Sequence, residues 1–156
     1  MSDFHQNGVI TTFHNLRTQS IDQQEQEIRK FAKTSPISLI LPSLYSELEG
    51  DALPRIVQIL SKMDYIDQII IGLDSATLEE YKNALEFFSI LPQKIYLLWN
   101  DGPRLRKIDK ELENYNLSPK QPGKGRNVWY MFGFALAQKN TKIIAVHDCD
   151  ITTYNR

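Results

Sequence analysis

Apolar residues fall along the chain in two alternating patterns, short unbroken runs and stripes that repeat every three or four positions. The runs Ile37-Ser38-Leu39-Ile40-Leu41, Gln68-Ile69-Ile70-Ile71-Gly72, Lys94-Ile95-Tyr96-Leu97-Leu98-Trp99 and Ile143-Ile144-Ala145-Val146 are rich in β-branched or aromatic side chains. They predict four strands, the first closed by Pro42 and the last buried on both faces. The stripes predict helices. Leu53, Ile56, Val57, Leu60 and Met63 mark one, and Leu78, Tyr81, Leu85 and Phe88 mark the next, opened by Thr77 and Glu80 as a capping box. Leu105, Ile108, Leu112 and Tyr115 mark a third, and residues 128–138 a fourth with Val128, Phe132, Ala135 and Leu136 turned inward. Ahead of the first strand, Ser20 and Gln23 cap a polar surface helix over residues 24–33, which Ser35-Pro36 ends. Residues 1–19 carry no period and are expected to be loosely held, and residues 43–51 to form a polar loop. Strand and helix alternate four times with connections long enough for parallel crossovers. The fold class is therefore α/β, an open, mostly parallel Rossmann-like sheet with helices on both faces.

Composition narrows the function classes. Eighteen basic against nineteen acidic residues leave a net charge of −1, so no nucleic-acid footprint or polybasic membrane patch is expected. No apolar run is long enough for stable membrane insertion, and residues 1–16 do not read as a secretory signal. The one cysteine, Cys149, has no internal disulfide partner, which fits a reducing compartment. A cytoplasmic protein is expected.

Candidate chemistry lies at the carboxyl ends of the strands, where open α/β sheets bind ligands. The last strand runs into His147-Asp148-Cys149-Asp150. Two carboxylates one residue apart repel each other, and a Mg²⁺ or Mn²⁺ ion serving a phosphate would reconcile them. The alternative is that they cap a turn. Polar or acidic groups also end the other strands: Ser43 with Glu47 close by, then Asp74, then Asn100-Asp101. Gly123-Lys124-Gly125-Arg126 precedes a helix and offers backbone N–H groups, a point charge and a guanidinium fork to an anion, or else is only a basic loop. Its spacing is neither that of a Walker loop nor that of a dinucleotide fingerprint. His147 reads as a structural donor, Cys149 as a small buried residue, Trp99, Trp129 and Tyr130 as core, and Arg104-Leu105-Arg106-Lys107 as a solvated helix face.

Taken in order, Leu41-Pro42-Ser43-Leu44 with following acids, Gly72-Leu73-Asp74, Leu98-Trp99-Asn100-Asp101-Gly102-Pro103-Arg104, Gly123-Lys124-Gly125-Arg126-Asn127-Val128-Trp129-Tyr130 and His147-Asp148-Cys149-Asp150 resemble a GT-A glycosyltransferase. The set is similar to retaining enzymes of the glucosyl-3-phosphoglycerate synthase and mannosylglycerate synthase type, over about residues 36–154. The resemblance divides the chain into a 1–35 extension with its surface helix and a 36–156 nucleotide-sugar-binding domain. It implies transfer from a UDP-glucose or GDP-mannose type donor to a small hydroxyl acceptor, with Mg²⁺ or Mn²⁺. Pro42, Ser43 and Leu44 would line the base and ribose, with Glu47 and Asp74 near them. Gly123 and Lys124 would meet the nucleotide, with Cys149 beside it. Asp148 would face the ribose or the water shell of the metal, and Asp150 would ligate the metal directly. These two aspartates are the expected catalytic pair. Enzymes of this type continue well past the paired acids, so the resemblance implies a chain truncated before its acceptor-binding part and poor in transfer by itself. A homodimer stays open. Two other classes are weighed: an inactive nucleotide-binding or interaction module, and a nucleotidyltransferase, which would want a basic, glycine-rich loop where residues 42–50 are acidic.

Overall fold

The computed structural model describes residues 19–155, so the loosely held start expected for the chain falls, but for residue 19, outside the described residues. The chain opens with helix α1 (Ile21–Ala32), whose first turn is closed reciprocally by Ser20 and Gln23 at 3.1 and 3.3 Å. Then follow β1 (Ile37–Leu44), α2 (Tyr45–Leu48), α3 (Ala52–Leu60), β2 (Ile66–Asp74) and α4 (Leu78–Phe88). The remainder is β3 (Lys94–Trp99), α5 (Pro103–Glu113), α6 (Lys124–Ala137) and β4 (Ile143–Val146). Every described strand pairs parallel, in the order β3-β2-β1-β4. The expected α/β sheet is present, with helices on both faces.

Strand β1 does not stop at Pro42. It continues to Leu44, pairing Pro42 with Gly72, Ser43 with Leu73 and Leu44 with Asp74. The proline is tolerated because of where its missing N–H would point. The Ile40 carbonyl accepts the His147 N–H at 3.1 Å, so alternate β1 residues turn their polar backbone toward β4. That ladder has ended by Pro42, and no hydrogen bond is lost there. The expected loop after it contains the single turn α2, closed by the Leu44 N–H donating to Glu47 Oε2 at 3.0 Å.

Alternation along the strands separates two apolar layers. Leu39 and Leu41 of β1, with Ile69, Ile71 and Leu73 of β2, pack against Leu53, Ile56, Val57 and Leu60 of α3 and against Ala84 and Phe88 of α4. On the opposite face Ile40 and Ile70 meet Met131 and Ala135 of α6. Three predicted helix faces need correction. In α4 the buried residues are Ala84 and Phe88, while Leu78 and Leu85 are exposed. Helix α5 has no buried residue, and Ile108 and Tyr115 lie open. In α6 the inward residues are Asn127, Tyr130, Met131 and Ala135, with Phe132 and Leu136 outside and Leu136 74% exposed. The last correction concerns β4, an edge strand of the described sheet that is only partly buried, with Val146 exposed. Among the described residues no helix is long and apolar enough to cross a membrane.

Candidate active site

In a 3-2-1-4 order the chain steps outward from β1 through β2 to β3 and then returns to the other side of β1. At that reversal the connections leaving β1 and β4 diverge and open a crevice at the carboxyl edge. A cleft of about 230 Å³ occupies it. Pro42, Ser43 and Leu44 from the end of β1 line it, together with Glu47 of α2 and Asp74 at the end of β2. Gly123, Lys124 and Asn127 come from the start of α6, and Asp148, Cys149 and Asp150 from the turn after β4. Every residue expected to bind donor or metal is thus gathered into one cavity by four separate segments. Asn100 and Asp101, at the end of β3, are not among its lining residues.

Each segment has a local reason for its shape. Gly123 has φ +131°, a conformation in which a Cβ is strained, and it starts α6 without a side-chain cap. The first amides of that helix therefore have no side-chain oxygen of their own and face an anion well. After β4 the chain turns at Cys149, which is 2% exposed and belongs to the larger apolar layer. Anchored there, the turn leaves Asp148 partly exposed and Asp150 exposed on either side. Burial chiefly pushes the Cys149 thiol up to about 12, so it stays protonated and is no nucleophile. His147 is structural as expected: its Nδ1 shares a hydrogen bond with the Tyr154 hydroxyl at 2.7 Å, and burial lowers its pKa. Of the three aromatics expected in the core, Tyr130 is buried. Trp99 is part-buried, stacking on Tyr81 at 5.1 Å and donating to the Ala76 carbonyl at 2.8 Å, while Trp129 is exposed.

Two cation–carboxylate pairs offset part of the negative charge in the cleft. The Lys124 ammonium donates to Asp148 Oδ1, and that hydrogen bond is the main reason its pKa lies above the ordinary lysine value. Arg126 is not a fork for an incoming anion. Its Nη2 donates to Asp74 Oδ1 at 2.6 Å and lies 3.7 Å from Asp101, in a partly buried position. Asp74 is 2% exposed, and the guanidinium keeps that carboxylate paired. Asp74 therefore meets the cleft as one half of an ion pair.

The donor set suits a hard divalent cation in one respect and is incomplete in another. Asp148 and Asp150 present carboxylate oxygens on the same short turn, the ligand type that Mg²⁺ and Mn²⁺ take. Among the described residues no group of three or more His, Cys, Asp or Glu side chains converges. Two carboxylates with water and phosphate oxygens make up a Mg²⁺ shell, so the residues present fit a metal that arrives with a phosphorylated ligand.

Two residues have roles here that the sequence does not assign. Asn127, 2% exposed, donates from Nδ2 to the Gly72 carbonyl at 2.7 Å, and Arg126 is the partner of Asp74. A polar residue three places after Lys124, on the same side of a helix, was the available signal for Asn127.

No protein-family model matches the chain. Glucosyl-3-phosphoglycerate synthase from Persephonella marina is 43% identical over 156 residues, which is all of this chain and 39% of that protein. Glucosyl-3-phosphoglycerate synthase from Methanococcoides burtonii is 35% identical over 157 residues, 98% of this chain and 37% of that protein. The likeness carried by the motifs therefore extends along the whole chain, including residues 1–35, and the chain spans under two fifths of the length of these relatives.

Proposed function

We propose that this chain is the nucleotide-sugar-binding part of a metal-dependent glycosyltransferase of the glucosyl-3-phosphoglycerate synthase type. Its donor is UDP- or GDP-linked glucose and its acceptor the hydroxyl of 3-phosphoglycerate. The observation that carries this reading is the gathering of Pro42, Ser43, Leu44, Glu47, Asp74, Lys124, Asp148 and Asp150 into one cleft at the switch point of the sheet. Likeness to two enzymes of that name supports it. At about 230 Å³ the cleft lies below the roughly 300–1,000 Å³ usual for small-molecule sites, so it takes part of the donor.

The base and ribose lie against Pro42, Ser43 and Leu44, with the Glu47 carboxylate at the rim. The diphosphate lies between the start of α6 and the turn after β4. Asp150 and Asp148 would hold Mg²⁺ or Mn²⁺ there, and the cation would supply Lewis-acid neutralisation of the departing diphosphate. As the donor enters, Lys124 exchanges Asp148 for a phosphate oxygen and adds a point charge to the same leaving group. The acceptor hydroxyl oxygen bonds to the anomeric carbon, the sugar–phosphate bond breaks with its electron pair going to the diphosphate, and the hydroxyl proton passes to an oxygen of that departing diphosphate.

Calorimetric titration of the 156-residue chain with UDP, GDP and UDP-glucose, each with and without Mn²⁺, tests the reading. Metal-dependent binding that weakens at least about tenfold in Asp150→Ala is expected, since one of two protein ligands is gone. Equal affinity in the variant would remove the metal assignment.

A further inference from the structure

The first turn of α6 is fixed to the sheet by polar groups where helix–sheet contacts are ordinarily apolar. The inward stripe of the helix is Asn127, Met131 and Ala135, and its first member is an amide buried against β2. Its Nδ2 donates to the Gly72 carbonyl at 2.7 Å, and its Oδ1 has no hydrogen-bond partner. Gly72 makes room for it. A Cβ there would stand 1.8 Å from Asn127 Oδ1, 2.8 Å from its Cγ and 2.9 Å from Met131 Sδ. The glycine thus leaves a notch in the β2 surface that the amide fills, and the two residues fit only as a pair. Three positions before Asn127 is Lys124, which reaches across the cleft to Asp148. The Asn127 N–H also donates to the Gly123 carbonyl at 3.1 Å, tying the same residue to the start of the helix.

We infer that Asn127 is a positioning residue, which keys the start of α6 into the Gly72 notch and thereby aims Gly123 and Lys124 at the diphosphate. This rests on the proposed reading of the cleft. An apolar residue at 127 would fill the notch, but it would lose the directional bond to the Gly72 carbonyl, an oxygen that also pairs within the β1–β2 ladder, and leave the helix free to slide along the strand. A hydrogen bond to a carbonyl fixes both height and rotation, which a ligand-facing lysine one turn away needs.

Two measurements on the full chain separate the keying from the reading of the cleft. Hydrogen exchange of the free protein needs no ligand. In Asn127→Ala the amides of Val128 and Trp129 are expected to exchange at least about tenfold faster, with those of Met131 and Ala135 little changed, since loss of one buried hydrogen bond frees only the first turn. Unchanged exchange at Val128 and Trp129 would overturn the keying whatever the cleft binds. Calorimetry with UDP and with GDP, each with Mn²⁺, then reads the consequence. Asn127→Ala should weaken binding about tenfold in the wild-type background and less than about twofold when Lys124 is already Met, because the effect passes through that lysine. Equal losses in both backgrounds would leave Asn127 a merely structural residue and overturn the inference. Absence of UDP and GDP binding in the parent chain would overturn the reading of the cleft and, with it, the aiming of Lys124, while exchange still decides the keying.

Discussion

The two faces of the sheet are built differently. On one, α3 and α4 cover β1 and β2 with a continuous apolar layer running from Leu39 to Phe88 and reaching the site only at Cys149. On the other, α6 covers the same strands with four buried apolar residues, Ile40, Ile70, Met131 and Ala135. What holds that helix at the carboxyl edge is the Asn127–Gly72 hydrogen bond and the Arg126–Asp74 ion pair. Burial is non-directional and tolerates small slips, whereas hydrogen bonds fix position. The thick face supplies stability, and the thin face supplies geometry at the cleft.

Substitution can break or sharpen that contrast. The largest effect belongs to the thick face: Phe88→Ala should cost about 3–5 kcal/mol of unfolding free energy in urea, from lost burial and the cavity left behind. Affinity of the folded protein for UDP with Mn²⁺ should hold, and a parallel fall in affinity would erase the division between faces. Next comes Arg126→Met, which strands the buried Asp74 carboxylate and should cost about 3 kcal/mol. Adding Asp74→Asn should recover most of the loss, and urea melts of the parent and the two variants check it. A smaller effect of another kind is expected from Asp150→Ala, which is exposed. The melting temperature should stay within a degree or two while Mn²⁺-dependent UDP binding falls about tenfold, near 1.4 kcal/mol. Smallest of all is Leu136→Ser on the outer side of α6, expected within about 0.5 kcal/mol of the parent in a urea melt. A loss of several kcal/mol there would restore the inward face predicted from the sequence.

Much of the architecture was legible in advance. Strand β3 begins and ends where its apolar run does, and the caps at Ser20 and Thr77 form as their spacing requires. The cleft residues were legible too, because strand ends in a parallel sheet share one edge and the polar residues there could be read off singly. The faces of α4 and α6 were not. Both helices were oriented by their large apolar residues. The positions buried in α4 include the small Ala84, and the key residue in α6 is polar.

Local pattern therefore determined the elements, their order and the edge that carries the chemistry, since hydrophobic period and turn residues act over a few positions. Which groups meet across that edge was decided only by tertiary structure. Gly72 and Asn127 lie 55 residues apart, and Arg126 and Asp74 lie 52 apart. A carbonyl or a carboxylate buried in a sheet selects its partner by proximity in space, after the crossovers have closed, and period and spacing along one chain carry no record of it.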